Sequence, residues 1–343
     1  TTGGKLPWND WRNATTWRKA TQLLLLAMNI YIAITFWYWV RYYETASSTT
    51  FVARPGGIEG WLPIAGLMNL KYSLATGQLP SVHAAAMLLL VAFIVISLLL
   101  KKAFCSWLCP VGTLSELIGD LGNKLFGRQF VLPRWLDIPL RGVKYLLLSF
   151  FLYIALLMPA QAIHYFMLSP YSVVMDVKML DFFRHMGTAT LISVTVLLIA
   201  SLFIRHAWCR YLCPYGALMS VVSLLSPFKI RRNAESCIDC GKCAKSCPSR
   251  IPVDKLTQVR TVECTGCMTC VESCPVASTL TFSLQKPAAN KKAFALSGWL
   301  MTLLVMGIMF AATGYAMYAG VWQSPVPDEL YRRLIPQAPM IGH

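Results

Sequence analysis

Twelve cysteines carry the chemistry of this 343-residue chain, and every one lies in a short cluster. Cys105 pairs with Cys109 and Cys209 with Cys213, while Cys237, Cys240, Cys243 and Cys247 form one run and Cys264, Cys267, Cys270 and Cys274 another. A disulfide framework belongs to small secreted chains, whereas this one is long and 56% hydrophobic. Thiolates two or three residues apart suit metal ligation instead, because a tight loop turns several sulfurs towards one centre.

The runs CIDCGKCAKSCP (237–248) and CTGCMTCVESCP (264–275) both read C-x2-C-x2-C-x3-C-P, the pattern of bacterial two-cluster ferredoxins. A lone C-x2-C is shared with zinc sites and redox motifs. Two complete runs with trailing prolines are far more specific. In such runs the fourth cysteine serves the other cluster. One [4Fe-4S] cluster is therefore expected on Cys237, Cys240, Cys243 and Cys274, and a second on Cys264, Cys267, Cys270 and Cys247. Gly241 and Gly266 allow turns that larger residues resist.

The remaining cysteines belong to an internal repeat. KKAFCSWLCPVGTLSEL (101–117) and IRHAWCRYLCPYGALMSVV (204–222) share C-x3-C-P-x-G-x-L after a basic stretch and an aromatic residue. Cysteines at i and i+4 face the same way on a helix. Pro110 and Pro214 then end one element or open the next. Brought together, Cys105, Cys109, Cys209 and Cys213 suit a third iron–sulfur cluster or a structural zinc. A disulfide or a pair of redox-active thiols would use the same residues. Beside a redox domain, the third cluster is the favoured reading.

Five apolar stretches, at about 21–40, 83–100, 145–163, 188–204 and 296–318, are expected to hold these motifs in a bilayer, whose core takes roughly 20 apolar residues. The expected fold is an all-α polytopic membrane bundle of five transmembrane helices, arranged as two related hairpins, with an inserted small α+β ferredoxin domain. Its segments are 1–20, a cytoplasmic N-terminal stretch; 21–230, a four-helix membrane domain; 231–285, the two-cluster domain; and 286–343, a fifth span with a periplasmic tail. Residues 1–20 lack a signal-peptide cleavage pattern, and the apolar run after them is too long for an h-region. With the N-terminus inside, the inner segments carry 24 lysines and arginines and the outer ones 7. That excess places the N-terminus and all cysteine clusters on the cytoplasmic side of the membrane, and the C-terminus on the outside.

Composition narrows the function. Only 13% of residues are charged, against about a quarter in soluble domains. The net charge of +16 lies beside apolar runs rather than in an aromatic-flanked basic patch, so nucleic acid is not an expected partner. No charged residue falls mid-span, which removes the usual mark of a transported ion. Neither a G-x-G-x-x-G fingerprint nor a P-loop occurs. Outside the cysteines, the loop 41–82 contains GWLPIAGLMNLKYSLATG, whose spacing fits an interfacial helix or a lid over a quinone site. His83, His164 and His185 sit at expected outer span ends. They read as interfacial residues, as proton acceptors for quinol, or as axial ligands of a b-type haem. Thr188 and Thr190, in GTATLIS, are faint candidates for covalent flavin.

The paired C-x3-C-P motifs, FCSWLCPVG and WCRYLCPYG, together with the two ferredoxin runs, resemble the membrane polyferredoxins grouped with NapH, NosR and CcoG. The resemblance covers roughly residues 20–285. It implies an inner-membrane subunit, quinol-dehydrogenase-like, that passes electrons between the quinone pool or a cytoplasmic-side donor and partner redox subunits, periplasmic ones included. A regulator or metal-centre assembly factor using its clusters for sensing or metal reduction is the alternative the same resemblance implies. The chain departs from a four-span NapH-like pattern by its fifth span and tail.

Overall fold

Apolar runs flanked by basic residues fold as helices throughout the computed structural model, which describes residues 13–45, 48–127, 130, 132–284 and 294–342. The expectations for residues 1–12, and for the junction at 285–293, lie outside these. Helix α1 (Ala14–Glu44) starts where the Asn13 side chain accepts the Thr16 N–H at 3.1 Å. α2 is Pro63–Thr76, α3 Ala84–Leu100, α4 Pro110–Phe126 and α5 Arg134–Leu157. Shorter pieces follow: α6 (Ala160–Met167), α7 (Pro170–Val173) and α8 (Met175–Arg184). Then come α9 (Thr188–Phe203), α10 (Ala207–Tyr211) and α11 (Pro214–Val222). After strand β1 (Lys229–Arg232) lie α12 (Lys242–Lys245), α13 (Thr269–Glu272) and β2 (Leu280–Ser283). The chain continues through α14 (Gly298–Tyr318) and α15 (Asp328–Leu334).

Helices occupy all five stretches expected to span, but not all of them reach full span length. Among the described residues, α1, α5 and α14 are long and apolar enough to cross a bilayer, and α8 with α9, bent by 79°, would make a fourth. α3 has 17 residues, about 25 Å of rise against a core of about 30 Å. It stops because Lys101 takes a left-handed conformation, φ 61°. The third span shifts as well: α5 begins at Arg134 rather than near 145 and ends before Pro159. Its polar first turns find partners, Asp137 pairing with Arg210 and Lys144 with Glu263.

The chain divides into two compact units, the boundary falling inside α1, α3, α5, α9 and α14. The first unit, residues 1–26, 93–145 and 201–308, contains every cysteine. Its β1 and β2 pair antiparallel with Ile230 opposite Phe282, and both side chains are buried. The first turns of α1 are tied down within this unit. Thr15 donates its backbone N–H to Glu272 at 2.9 Å, and Arg18 forms a two-pronged ion pair with Glu116 at 2.6 and 2.8 Å.

The second unit, residues 27–92, 146–200 and 309–343, has two apolar clusters. Phe36, Trp39 and Tyr43 of α1 meet Val173, Val177 and Tyr331 in one. In the other, Leu62, Ala65, Met68 and Tyr72 pack on Ile163 and Met167 of α6. One face of α2, expected as an interfacial helix or a lid over a quinone site, is therefore covered by protein.

Candidate metal centres

The ferredoxin loops gather their cysteines into two rings. Cys237, Cys240, Cys243 and Cys274 line one cavity. Cys247, Cys264, Cys267 and Cys270 line a second, walled by Ile230, Ile251, Val253 and Val259. Both rings depend on left-handed residues at the start of the short helices. Gly241 (φ 66°) precedes α12 and Met268 (φ 60°) precedes α13. Gly266 also holds a left-handed conformation (φ 65°), and a Cβ there would make a tight 3.0 Å contact with the Leu100 carbonyl oxygen. The rings differ in exposure. Cys240 is open to solvent, whereas Cys264 and Cys270 are buried.

The C-x3-C-P segments share a backbone device. The N–H of Cys109 donates to Phe104 O at 2.9 Å and that of Cys213 to Trp208 O at 3.0 Å. Each is a five-residue, π-type closure, a geometry frequent at functional sites. Cys105 lies in a π-helical turn, Phe104–Leu108, whereas Cys209 lies in α10, and in both copies the second cysteine becomes the N-cap of the next helix. Proline occupies the first turn of α4 and of α11, where its missing N–H costs nothing. The freed amides then serve the sulfur, Gly216 N–H reaching Cys213 Sγ at 3.2 Å. Gly112 and Val111 do the same for Cys109. A helix N-terminus facing a sulfur favours its anionic form.

Electrostatic coupling joins these four thiols: Cys209 is influenced by Cys105, Cys109 and Cys213. Burial pushes the Cys105 thiol up to about 12 and Cys109 and Cys264 to about 11. Thiols so buried hold their protons until a cation replaces them, which is the behaviour of a metal cage. Among the described residues, no three His, Cys, Asp or Glu side chains converge tightly enough for a single ion. Rings of cysteines around cavities, with amides aimed at the sulfurs, fit a polynuclear iron–sulfur cluster in the ferredoxin loops, and the four coupled thiols of the C-x3-C-P pair offer the same donor set.

The surroundings include residues that the motifs alone did not single out. Ser106 Oγ donates to Thr265 O at 2.7 Å and Trp107 Nε1 to Gly266 O at 3.2 Å. Both acceptors lie between Cys264 and Cys267. A third cavity has Cys105 and Cys209 in one wall and Cys267 in another, with Glu116, His206 and Glu263 around it. Burial pushes His206 down to about 4, with Arg205 and Arg18 adding to the effect, so its ring is neutral. Lys102 is buried within reach of Cys105, Cys209 and Cys213. Adjacent lysines immediately after an apolar run were the available signal for such a role.

The three candidate histidines are not assembled into one site. His83 Nδ1 lies 2.8 Å from Glu59 Oε2, and its Nε2 lies 2.8 Å from the Ser172 carbonyl oxygen. Burial pushes the Glu59 carboxyl up, but His83 and Arg54 outweigh that and hold it at about 2. Both partners of the ring are thus acceptors, both ring nitrogens carry hydrogen, and neither is open to a haem iron. Arg54 extends the network to Asp176 at 2.7 Å. His164 stacks on Tyr72 with centroids 5.5 Å apart, and His185 is 70% exposed near Asp181. Thr188 is exposed at the start of α9 and Thr190 half-buried.

Comparison with known proteins bears on the same segments. A family model described as a 4Fe-4S binding domain matches twice, over residues 82–129 and 186–233, once on each C-x3-C-P repeat. One described as a 4Fe-4S dicluster domain matches residues 229–275. YccM of Escherichia coli (strain K12), whose name assigns it provisionally to electron transport, is 97% identical over all of this chain and 96% of its own length. The regulatory protein NosR of Pseudomonas aeruginosa is 31% identical over 55% of this chain, which spans only 26% of NosR. The ferredoxin-type protein NapH of Escherichia coli (strain K12) is 29% identical over 61% of this chain and 70% of its own length. No solved structure matches.

Proposed function

This chain belongs to the membrane-associated polyferredoxin-like family that includes YccM, NosR and NapH, and on that premise we propose that it relays electrons between the quinone pool and a partner redox protein. The chain's own cysteines provide the relay. Cys237, Cys240, Cys243 and Cys274 hold the first [4Fe-4S] cluster, and Cys247, Cys264, Cys267 and Cys270 the second. Cys105, Cys109, Cys209 and Cys213 hold a third. When bound, such clusters supply one-electron storage without proton transfer.

The observation that carries this reading is the position of Cys267. It lines the cavity of the second ring and also the cavity walled by Cys105 and Cys209. Ser106 and Trp107 bond the same loop, so the C-x3-C-P segment and the second ring share a wall of protein. The exposed Cys240 makes the first ring the face for a soluble partner. The buried ring borders the third site through Cys267. The lysine and arginine excess supports placing all three on the cytoplasmic side of the inner membrane. The quinone terminus rests on the resemblance to quinol-dehydrogenase subunits.

The test is anaerobic reduction of the full-length protein in detergent, followed by electron paramagnetic resonance. Dithionite should develop the signals of three clusters, and a low-potential quinol should reduce at least one. A protein that shows no cluster signal with either reductant is not a relay.

A further inference from the structure

Lys101 is fully buried, and its Nζ has no hydrogen-bond partner. Two other buried cations of the same unit have carboxylate partners: Lys144 meets Glu263 at 2.8 Å and Arg18 meets Glu116. An ammonium withdrawn from water without a counter-charge is strongly disfavoured. Burial pushes the Lys101 ammonium down from its ordinary range and Lys229 adds to this, while the Cys264 sulfur opposes it, so the charge depends on an anionic neighbour at the sulfurs. The backbone is committed to this placement. Lys101 holds φ 61°, a conformation rare outside glycine. Its N–H donates to Ser226 Oγ at 3.0 Å, while Ser226 in turn donates to Leu99 O at 2.8 Å. Across the contact, a Cβ at Gly266 would stand 3.5 Å from Lys101 Cβ, so the lysine abuts the loop between Cys264 and Cys267.

We infer that Lys101 is the charged residue that sets the reduction potential of the cluster held by Cys247, Cys264, Cys267 and Cys270. This rests on the relay reading above. Four thiolates around an iron–sulfur core leave net negative charge, the partner a buried ammonium requires. Adding one electron makes that charge more negative, with no bond formed or broken. A fixed cation nearby stabilises the reduced state more than the oxidised one and raises the potential. The buried ring is thereby made the electron-accepting member beside a solvent-exposed one.

The experiment compares wild type, Lys101→Met and Lys101→Arg in the full-length protein, by redox titration monitored by electron paramagnetic resonance. Lys101→Met should keep its iron and acid-labile sulfide. It should lower the ratio of reduced to oxidised cluster at fixed potential about tenfold, about 59 mV for one electron, for one cluster only. Lys101→Arg should retain most of the wild-type potential. Unchanged potentials in a fully loaded Lys101→Met protein would overturn the inference. Equal loss of the cluster from both variants would also overturn it, assigning the lysine to assembly. Absence of cluster signals in wild type would instead bring down the relay reading itself.

Discussion

Residues 101–117 and 204–222 repeat one turn and use it differently. In both, a π-type closure sets the second cysteine at a helix N-terminus with proline behind it. The flanking positions then diverge. Between the first pair of cysteines, Ser106 and Trp107 bond to the ferredoxin loop at Thr265 and Gly266. Their counterparts Arg210 and Tyr211 bond instead to Asp137 on α5, at 3.0 and 2.7 Å. Lys101 is buried without a partner, whereas the equivalent Arg205 pairs with Asp120 near the surface. Seven residues after the second cysteine, one copy has Glu116 paired with Arg18 and the other has Ser220, bonded to Gly216 O. Duplication thus supplied a symmetric sulfur frame, and the side chains around it made one copy face the ferredoxin domain and the other the membrane helix.

The largest expected effect tests the symmetric part. Cys109→Ser and Cys213→Ser should each remove the same cluster, lowering bound iron by about a third while both ferredoxin signals remain; retention of all iron in either variant would separate the two copies. Acid should next expose the asymmetry. Burial pushes the Glu116 carboxyl up, but Arg18 and Gln22 hold it at about 2, below the ordinary 4.5. Its contribution is therefore complete above pH 4.5 and is lost as pH falls towards 2, on the order of 3 kcal/mol. Thermal unfolding in detergent between pH 5 and pH 2 should show this loss in wild type and a flatter profile in Glu116→Gln.

Glycine substitutions give a smaller contrast of opposite sign. A Cβ on Gly112 would lie 2.4 Å from the Cys105 carbonyl oxygen, but one on Gly216 would stand 3.6 Å from that of Cys209. Gly112→Ala should cost about 1–3 kcal/mol through overpacking, read as a lower unfolding midpoint. Gly216→Ala should be neutral or gain up to about 1 kcal/mol of helix propensity. The least effect belongs to Arg205→Ala, which breaks a partly exposed ion pair and should cost about 0.2–1 kcal/mol. It should leave all cluster potentials unchanged, in contrast to Lys101→Met.

The cysteine runs were legible because ligand spacing is a local property: a two-residue gap closes a tight loop in any fold that holds a cluster. The repeat was legible for the same reason, and the two family matches on residues 82–129 and 186–233 coincide with it. Two apolar stretches were read to within a residue, 83–100 against α3 and 188–204 against α9. Hydropathy counts apolar residues but does not see that α5 begins at Arg134, or that α8 and α9 meet at 79°. The sequence puts His83 at a span end but does not show its partners, because Glu59, Arg54 and Asp176 become its surroundings only after distant segments pack.

What the sequence determined by itself was the donor chemistry: twelve thiols in ligand spacing, doubled turns, and an apolar chain to hold them. Tertiary structure decided which thiols share a cavity, that Cys267 borders two of them, and that one lysine is shut in beside Cys264. The division has a physical cause. Ligand loops are set by neighbours two to four residues away, whereas burial, charge compensation and the environment of a cluster come from segments more than a hundred residues apart in the chain.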